Sequence, residues 1–260
     1  MGRYESILAF VDQLHKEKDA GEKKPLDFAI LNAGLANFDF VRNERTGNEE
    51  VIQVNWLGTA LLTILLLPVF EHPATEPNTS RPRPTISIVN SETAAWAKFE
   101  EASIATNQHT SLLSSLNDEK NFVGTDRYYT SKLLQQLFFL ELVSRRSKEA
   151  KGKGPILNLV NPGFCYGSGL HRGAPSIVGN ILGGVKRVVG RSAAVGARTL
   201  VHAATCAGVK SDGMYLSDCR VAPFAEYGNN ERGKKIQEMV WEEAMQELKS
   251  VVGTERLVMP

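Results

Sequence analysis

The sequence predicts an α/β fold built on a doubly wound parallel sheet, and three observations carry that expectation. Short apolar, β-branched runs alternate with longer stretches of helical apolar spacing, the order that parallel strands joined by crossover helices require. Each run ends abruptly in turn-forming or polar residues, at Asn32-Ala33-Gly34, Ser91-Glu92-Thr93 and Asn161-Pro162-Gly163. With 260 residues, 42% of them hydrophobic, the chain can bury one large core, so residues 1–260 are expected to form a single domain.

Taken in order, Tyr4 to Lys18 sets Ile7, Leu8, Phe10, Val11 and Leu14 at helical spacing, and a charged connector runs on to Pro25. Leu26 to Leu31 reads as a buried strand. Asn48 to Phe70 reads as a long helix whose apolar run, Leu57 to Phe70, is shorter than the roughly 20 residues a bilayer span needs. It is expected to be buried in the core. Pro73, Pro77, Pro82 and Pro84 then forbid regular structure. Thr85 to Asn90 is a second strand, and the polar stretch Phe99 to Asp126 reads as a weakly helical surface excursion. Tyr128 to Arg145 is a helix broken by Gly152-Lys153-Gly154-Pro155. Ile156 to Val160 is a third strand, Ser192 to Ala207 another helix, and Gly213 to Ser217 a fourth strand.

Composition excludes several functions. Thirty basic against twenty-nine acidic side chains, a net charge of +1, give no field to draw in nucleic acid or an anionic membrane. Cys165, Cys206 and Cys219 are too scattered for a disulfide framework or a zinc site, and the five histidines lack ligand spacing, so no metal is expected. The first ten residues lack the pattern of a secretory signal, which leaves the reducing cytoplasm as the default.

The chemistry points to Tyr128 and Lys132. Four residues apart on a helix, they lie on one face within reach of a common ligand. An ammonium about 4 Å from a phenol, at an effective dielectric near 20, contributes about 4 kcal/mol, which would bring the phenol proton toward neutral pH. In open parallel sheets ligands sit beyond the carboxyl ends of the strands, where Asn32, Ser91 and Pro162-Gly163 all fall.

These residues resemble the short-chain dehydrogenase/reductase family. Leu31-Asn32-Ala33-Gly34 is similar to its N-A-G turn, Asn55-Trp56-Leu57-Gly58 to its helix asparagine motif, and Val89-Asn90-Ser91-Glu92 to its serine strand. Tyr128 to Lys132 is similar to Y-x-x-S-K, and Asn161-Pro162-Gly163 to its P-G turn, all in family order. The segment after Ser91 resembles the retinol-dehydrogenase-like and fungal secondary-metabolite branches. The resemblance implies a Rossmann-like fold, a catalytic tetrad of Asn55, Ser91, Tyr128 and Lys132, and cofactor contacts from Asn32, Gly34, Tyr128, Lys132, Pro162, Gly163 and Cys165. It implies NADP as cofactor, with NAD also open, and a small hydrophobic carbonyl or alcohol substrate in secondary-metabolite biosynthesis. A homo-oligomer is left open. The competing readings are an inactive remnant serving as a binding or scaffold protein, and a nucleotide-sugar epimerase sharing the Tyr/Lys pair.

The family's first strands and glycine-rich turn have no counterpart before Asn32, so the chain is expected to be N-terminally truncated and to bind a dinucleotide weakly. Strand Leu26 to Leu31 is then expected at an open sheet edge. Gly163-Phe164-Cys165-Tyr166-Gly167-Ser168-Gly169 spells a phosphate-loop pattern, but it follows the Tyr/Lys helix and falls on the P-G turn, which is the reading preferred.

Overall fold

In the computed structural model, residues 1–21, 25–70, 82–150, 154–167, 170, 190–228 and 231–257 are described. Seven strands occur among them: β1 (Phe28–Leu31), β2 (Thr85–Val89), β3 (Ile156–Asn161), β4 (Cys165–Tyr166), β5 (Arg191–Ser192), β6 (Met214–Ser217) and β7 (Arg220–Ala222). Five of them form the central sheet in the order β1-β2-β3-β6-β7, and β4 pairs with β5 separately. The first four strands of the large sheet run parallel, as expected for a doubly wound Rossmann-like fold. Every residue of β2 and β3 is buried, because helices cover both faces.

One departure from the purely parallel expectation is the hairpin β6–β7. Asp218 and Cys219 both take positive φ, 48° and 61°, which is the two-residue turn geometry that matches strand twist. It turns the chain back so that β7 pairs antiparallel with β6. A three-residue strand with two exposed members leaves no apolar run to read.

The helices are α1 (Tyr4–Asp19), α2 (Glu50–Ile52), α3 (Thr59–Leu66), α4 (Glu100–Gln108), α5 (Leu112–Leu116), α6 (Gly124–Ala150), α7 (Ala193–Thr205) and α8 (Glu231–Val252). A π-helical segment, Gln53–Gly58, joins α2 to α3 without a break. Glu50–Phe70 is apolar and long enough to cross a membrane, yet 89% of that window is buried inside the fold, so it serves as the core helix. The large core packs α1, α3, α6 and α8 on one face of the sheet. The other face carries α7, which rests on β1, β2 and β3 around Val89, Val160, Ala203 and Leu216.

Two stretches differ from their expectations. The segment from Phe99 to Asp126 is no mere surface excursion, since Phe99, Ala102, Leu112 and Leu116 are all buried in the main core. Their apolar side chains are too sparse in a polar background to produce a periodic signal, and only the packing of α4 on α5 and of α5 on α8 reveals them. Helix α8 stacks Trp241 on Phe138 of α6, with ring centroids 4.9 Å apart, a contact no local pattern announces. Among the described residues β1 pairs only with β2 and so forms a sheet edge, with Phe28 half exposed. The prolines Pro73 and Pro77 lie outside the described residues, as do Ser168, Gly169 and the stretch 171–189 that continues the Gly163 loop.

Candidate active site

The first turns of α6 meet the carboxyl end of β2 and the turn that follows it. Helix α6 starts at Gly124, whose backbone lies so close to the Phe38 carbonyl that a side chain would collide with it. Asp126 accepts a hydrogen bond from the Lys98 backbone N–H at 3.0 Å and ties this first turn to the segment that follows Ser91. Tyr128 lies two residues further along the helix.

Ser91, two residues beyond β2, caps the 3-10 turn Glu92–Trp96, its Oγ accepting from Thr93 N at 3.3 Å and from Thr93 Oγ1 at 2.9 Å. Its hydroxyl faces the Tyr128 phenol and lowers the cost of ionising it. Burial pushes the Tyr128 phenol up to about 12, the Ser91 hydroxyl pulls it back, and the neighbouring Tyr129 raises it further. Lys132 is buried, donates to the Val89 carbonyl at 2.8 Å, and lies 5.9 Å from the centroid of the Tyr128 ring. Burial lowers it to about 8.

This corrects the expectation that Lys132 draws the Tyr128 proton toward neutral pH. Helical spacing does put the two side chains on one face, but the ammonium rests against the ring and turns to a backbone carbonyl. Desolvation then acts against the charged form of both groups.

Asn55 lies in the π-helical segment and is fully buried. Its Oδ1 accepts from Leu35 N at 2.9 Å, and its Nδ2 donates to Leu35 O at 2.8 Å and to Ser131 Oγ at 2.9 Å. Ser131 in turn donates to the Tyr128 carbonyl at 2.7 Å. Gly34 closes the group, since a Cβ there would stand 3.3 Å from Asn55 Oδ1 and 3.8 Å from Lys132 Nζ. Ser91, Tyr128, Lys132, Asn55 and Gly34 therefore form one connected cluster.

The remaining expected contacts lie around its rim. Asn32 is exposed at the end of β1. Gly163 has φ +76°, a left-handed conformation that favours glycine, and donates its N–H to Asn161 Oδ1 at 3.0 Å. Pro162 and Cys165 are half-buried, the thiol donating to the Pro162 carbonyl at 3.4 Å. This turn leaves β3, whose Val160 carbonyl accepts from Asn90 N at 2.9 Å, one residue before Ser91.

Asn90, Gln135 and Gln136 are buried polar side chains around the cluster that motif reading passed over. A signal existed, because Tyr128, Ser131, Lys132 and Gln135 recur at i, i+3, i+4 and i+7, extending the polar stripe by one turn.

No protein-family model matches the chain. It is similar to the short-chain dehydrogenase fogG of Aspergillus ruber, 34% identical over 263 residues, covering 99% of this chain and 70% of that protein. The short chain dehydrogenase virL of Hypocrea virens is 31% identical, over 99% of this chain and 70% of its own. The short chain dehydrogenase/reductase dmxR8 of a Cryptosporiopsis species is 32% identical, over 96% and 72%. Among solved structures, an uncharacterised protein from Mycobacterium paratuberculosis superposes with a TM-score of 0.54 at 20% identity, over 92% of this chain and 73% of that one, a likeness of fold.

Proposed function

The chain belongs to the short-chain dehydrogenase/reductase family of oxidoreductases, and from that premise we propose a nicotinamide-dependent enzyme of the cytoplasm that interconverts a carbonyl and an alcohol on a small hydrophobic substrate. The observation that carries this reading is the convergence of Tyr128 and buried Lys132, 5.9 Å from its ring, with Asn55 tied through Ser131 to the Tyr128 carbonyl, at the strand end that Ser91 follows. A cofactor bound there would supply the hydride. NADP is the proposed form.

The residues fit the nicotinamide and its ribose. Of the three N–H donors of Lys132, the Val89 carbonyl takes one, and the described residues hydrogen-bond to no other, a buried surplus that suits ribose hydroxyls. Gly34 leaves open beside Lys132 and Asn55 the space a side chain would fill. Asn32, Pro162, Gly163 and Cys165 stand on the same rim of the sheet and are proposed to flank the nicotinamide.

In reduction, Tyr128 gives its proton to the oxygen of the substrate carbonyl, and Ser91 donates a hydrogen bond that strengthens as charge develops on that oxygen. Lys132 favours the phenolate left behind. Asn55 holds the Leu35 backbone and Ser131, and so fixes the floor under Tyr128. Burial holds the phenol up near 12, so it keeps its proton until a substrate oxygen is there to take it.

The test is oxidation of NADPH and NADH by the protein over a panel of aromatic and aliphatic aldehydes and ketones. Turnover that Tyr128→Phe abolishes, and that Lys132→Ala reduces nearly as far, is the expected result. Equal turnover by wild type and Tyr128→Phe between pH 6 and 9 would overturn the assignment.

A further inference from the structure

We propose that Gln135 is a positioning residue of this reaction, one buried amide that sets the distance between the two elements presenting Asn55 and Ser91 to Tyr128. The proposal rests on the catalytic reading above and adds to it a residue outside the tetrad.

Four polar side chains on one stripe of α6 each grip a different part of the site. Tyr128 meets Ser91, Ser131 accepts from Asn55, and Lys132 donates to Val89. Gln135 grips two parts at once. Its Nε2 donates to the Asn55 carbonyl at 3.0 Å, inside the π-helical segment, and its Oε1 accepts from Asn90 Nδ2 at 2.7 Å. Asn90 immediately precedes Ser91, and its Nδ2 also donates to the Lys132 carbonyl at 3.0 Å. The Gln135 amide thus spans from the Asn55 helix to the end of β2, anchored on the helix that carries Tyr128.

The chain of amides continues. Gln136 Nε2 donates to Asn90 Oδ1 at 2.8 Å, and its Oε1 accepts from Ala225 N at 3.0 Å. Asn90, Gln135 and Gln136 are all nine-tenths or more buried, and every one of their side-chain N and O atoms has a partner. A buried network satisfied throughout is rigid, because breaking any one bond strands a polar group away from water. The π-helical segment is a local irregularity in the helix around it, and Gln135 braces it at the residue the site uses.

The experiment measures kcat and KM for NADPH reduction of benzaldehyde, taken as the probe carbonyl, in Gln135→Met, which keeps the length of the side chain but not its amide. A fall in kcat of about 100-fold is expected, the scale of an ångström-sized misplacement, with KM for NADPH within twofold. In a Ser91→Ala background the same change should cost at most a tenth as much, because one of the two groups it positions is already gone. Additive losses in the two backgrounds, or wild-type kcat in Gln135→Met, would overturn the proposal. Gln135→Glu, which keeps the acceptor to Asn90 but loses the donor to Asn55, provides the same comparison if Gln135→Met does not fold.

A readout independent of turnover is amide hydrogen exchange. Gln135→Met should speed exchange at Gln53–Gly58 and Ser91–Thr93 at least tenfold while α8 keeps its protection. Unchanged exchange at both segments would sink the proposal even where wild type shows no turnover, a result that by itself would count against the catalytic reading alone.

Discussion

Two buried polar clusters flank the Tyr128–Lys132 stretch of α6, and they are built on opposite principles. On the N-terminal side, Arg127 lies between two buried carboxylates, with Nη2 3.1 Å from Glu101 Oε1 and Nε 4.0 Å from Glu49 Oε2. On the C-terminal side, Asn90, Gln135 and Gln136 form a neutral chain of amides. Satisfaction separates them. The amides leave no side-chain atom without a partner, whereas Arg127 Nε and Nη1 and Glu101 Oε2 have no hydrogen bond among the described residues. Burial, the largest influence, pushes both Glu49 and Glu101 above the ordinary carboxylate range, and the Arg127 charge opposes it. Neutral groups can be sealed in at little cost once paired, while charges keep a desolvation penalty that pairing only partly offsets.

Breaking the charged cluster should have the largest effect. Arg127→Met leaves two uncompensated carboxylates and is expected to lower unfolding free energy by about 3–5 kcal/mol in urea titrations, most of it recovered by adding Glu49→Gln and Glu101→Gln. Recovery failing in the triple variant would mean that packing of Arg127 over the Phe122 ring, 5.5 Å away, matters more than its charge.

Ser91 lies between the clusters and should separate activity from stability. Ser91→Ala is expected to raise the barrier to turnover by about 2.7–4 kcal/mol, read from kcat, if its hydroxyl acts as an oxyanion donor. A smaller effect comes from the amide side. Gln136→Leu strands Asn90 Oδ1 and Ala225 N and should cost about 1–3 kcal/mol of stability for each stranded group that water cannot reach.

The subtlest contrast is in pH. Burial holds Glu49 and Glu101 above the ordinary carboxylate value of 4.5, so the native state holds more protons than the unfolded state from 4.5 upward through their raised range. Their contribution to stability therefore falls as pH rises through that window and is restored as pH drops toward 4.5. Replacing both with glutamine should flatten this dependence, whereas Gln136→Leu should shift stability equally at every pH. A pH-dependent effect of Gln136→Leu would show that the two clusters are coupled through α6.

The parts of the molecule legible in its sequence are those with a local signature. Thr85 to Val89 and Ile156 to Asn161 stand out because strands covered on both faces are apolar throughout, and their polar ends mark the ligand side of the sheet. Sequence alone also set Tyr128, Ser131 and Lys132 on one face of α6, since a helix turns by a fixed angle per residue. Sparse apolar residues such as Phe99, Leu112 and Leu116 gave no such signature, and their place in the core depends on Tyr227 and α8, distant in the chain.

Sequence by itself thus determined the α/β class, the order of the motifs and the identity of the residues at the strand ends. Only the tertiary structure decided their electrostatics. The spacing of Tyr128 and Lys132 says that they share a face, but whether the ammonium meets the phenol oxygen or the ring depends on Val89, which belongs to β2. The roles of Gln135 and Arg127 were likewise open until β2, α2 and α4 closed around α6. Periodicity fixes the direction of a side chain relative to its own backbone, while burial and hydrogen-bond partners come from segments far along the chain, and desolvation makes those partners decisive.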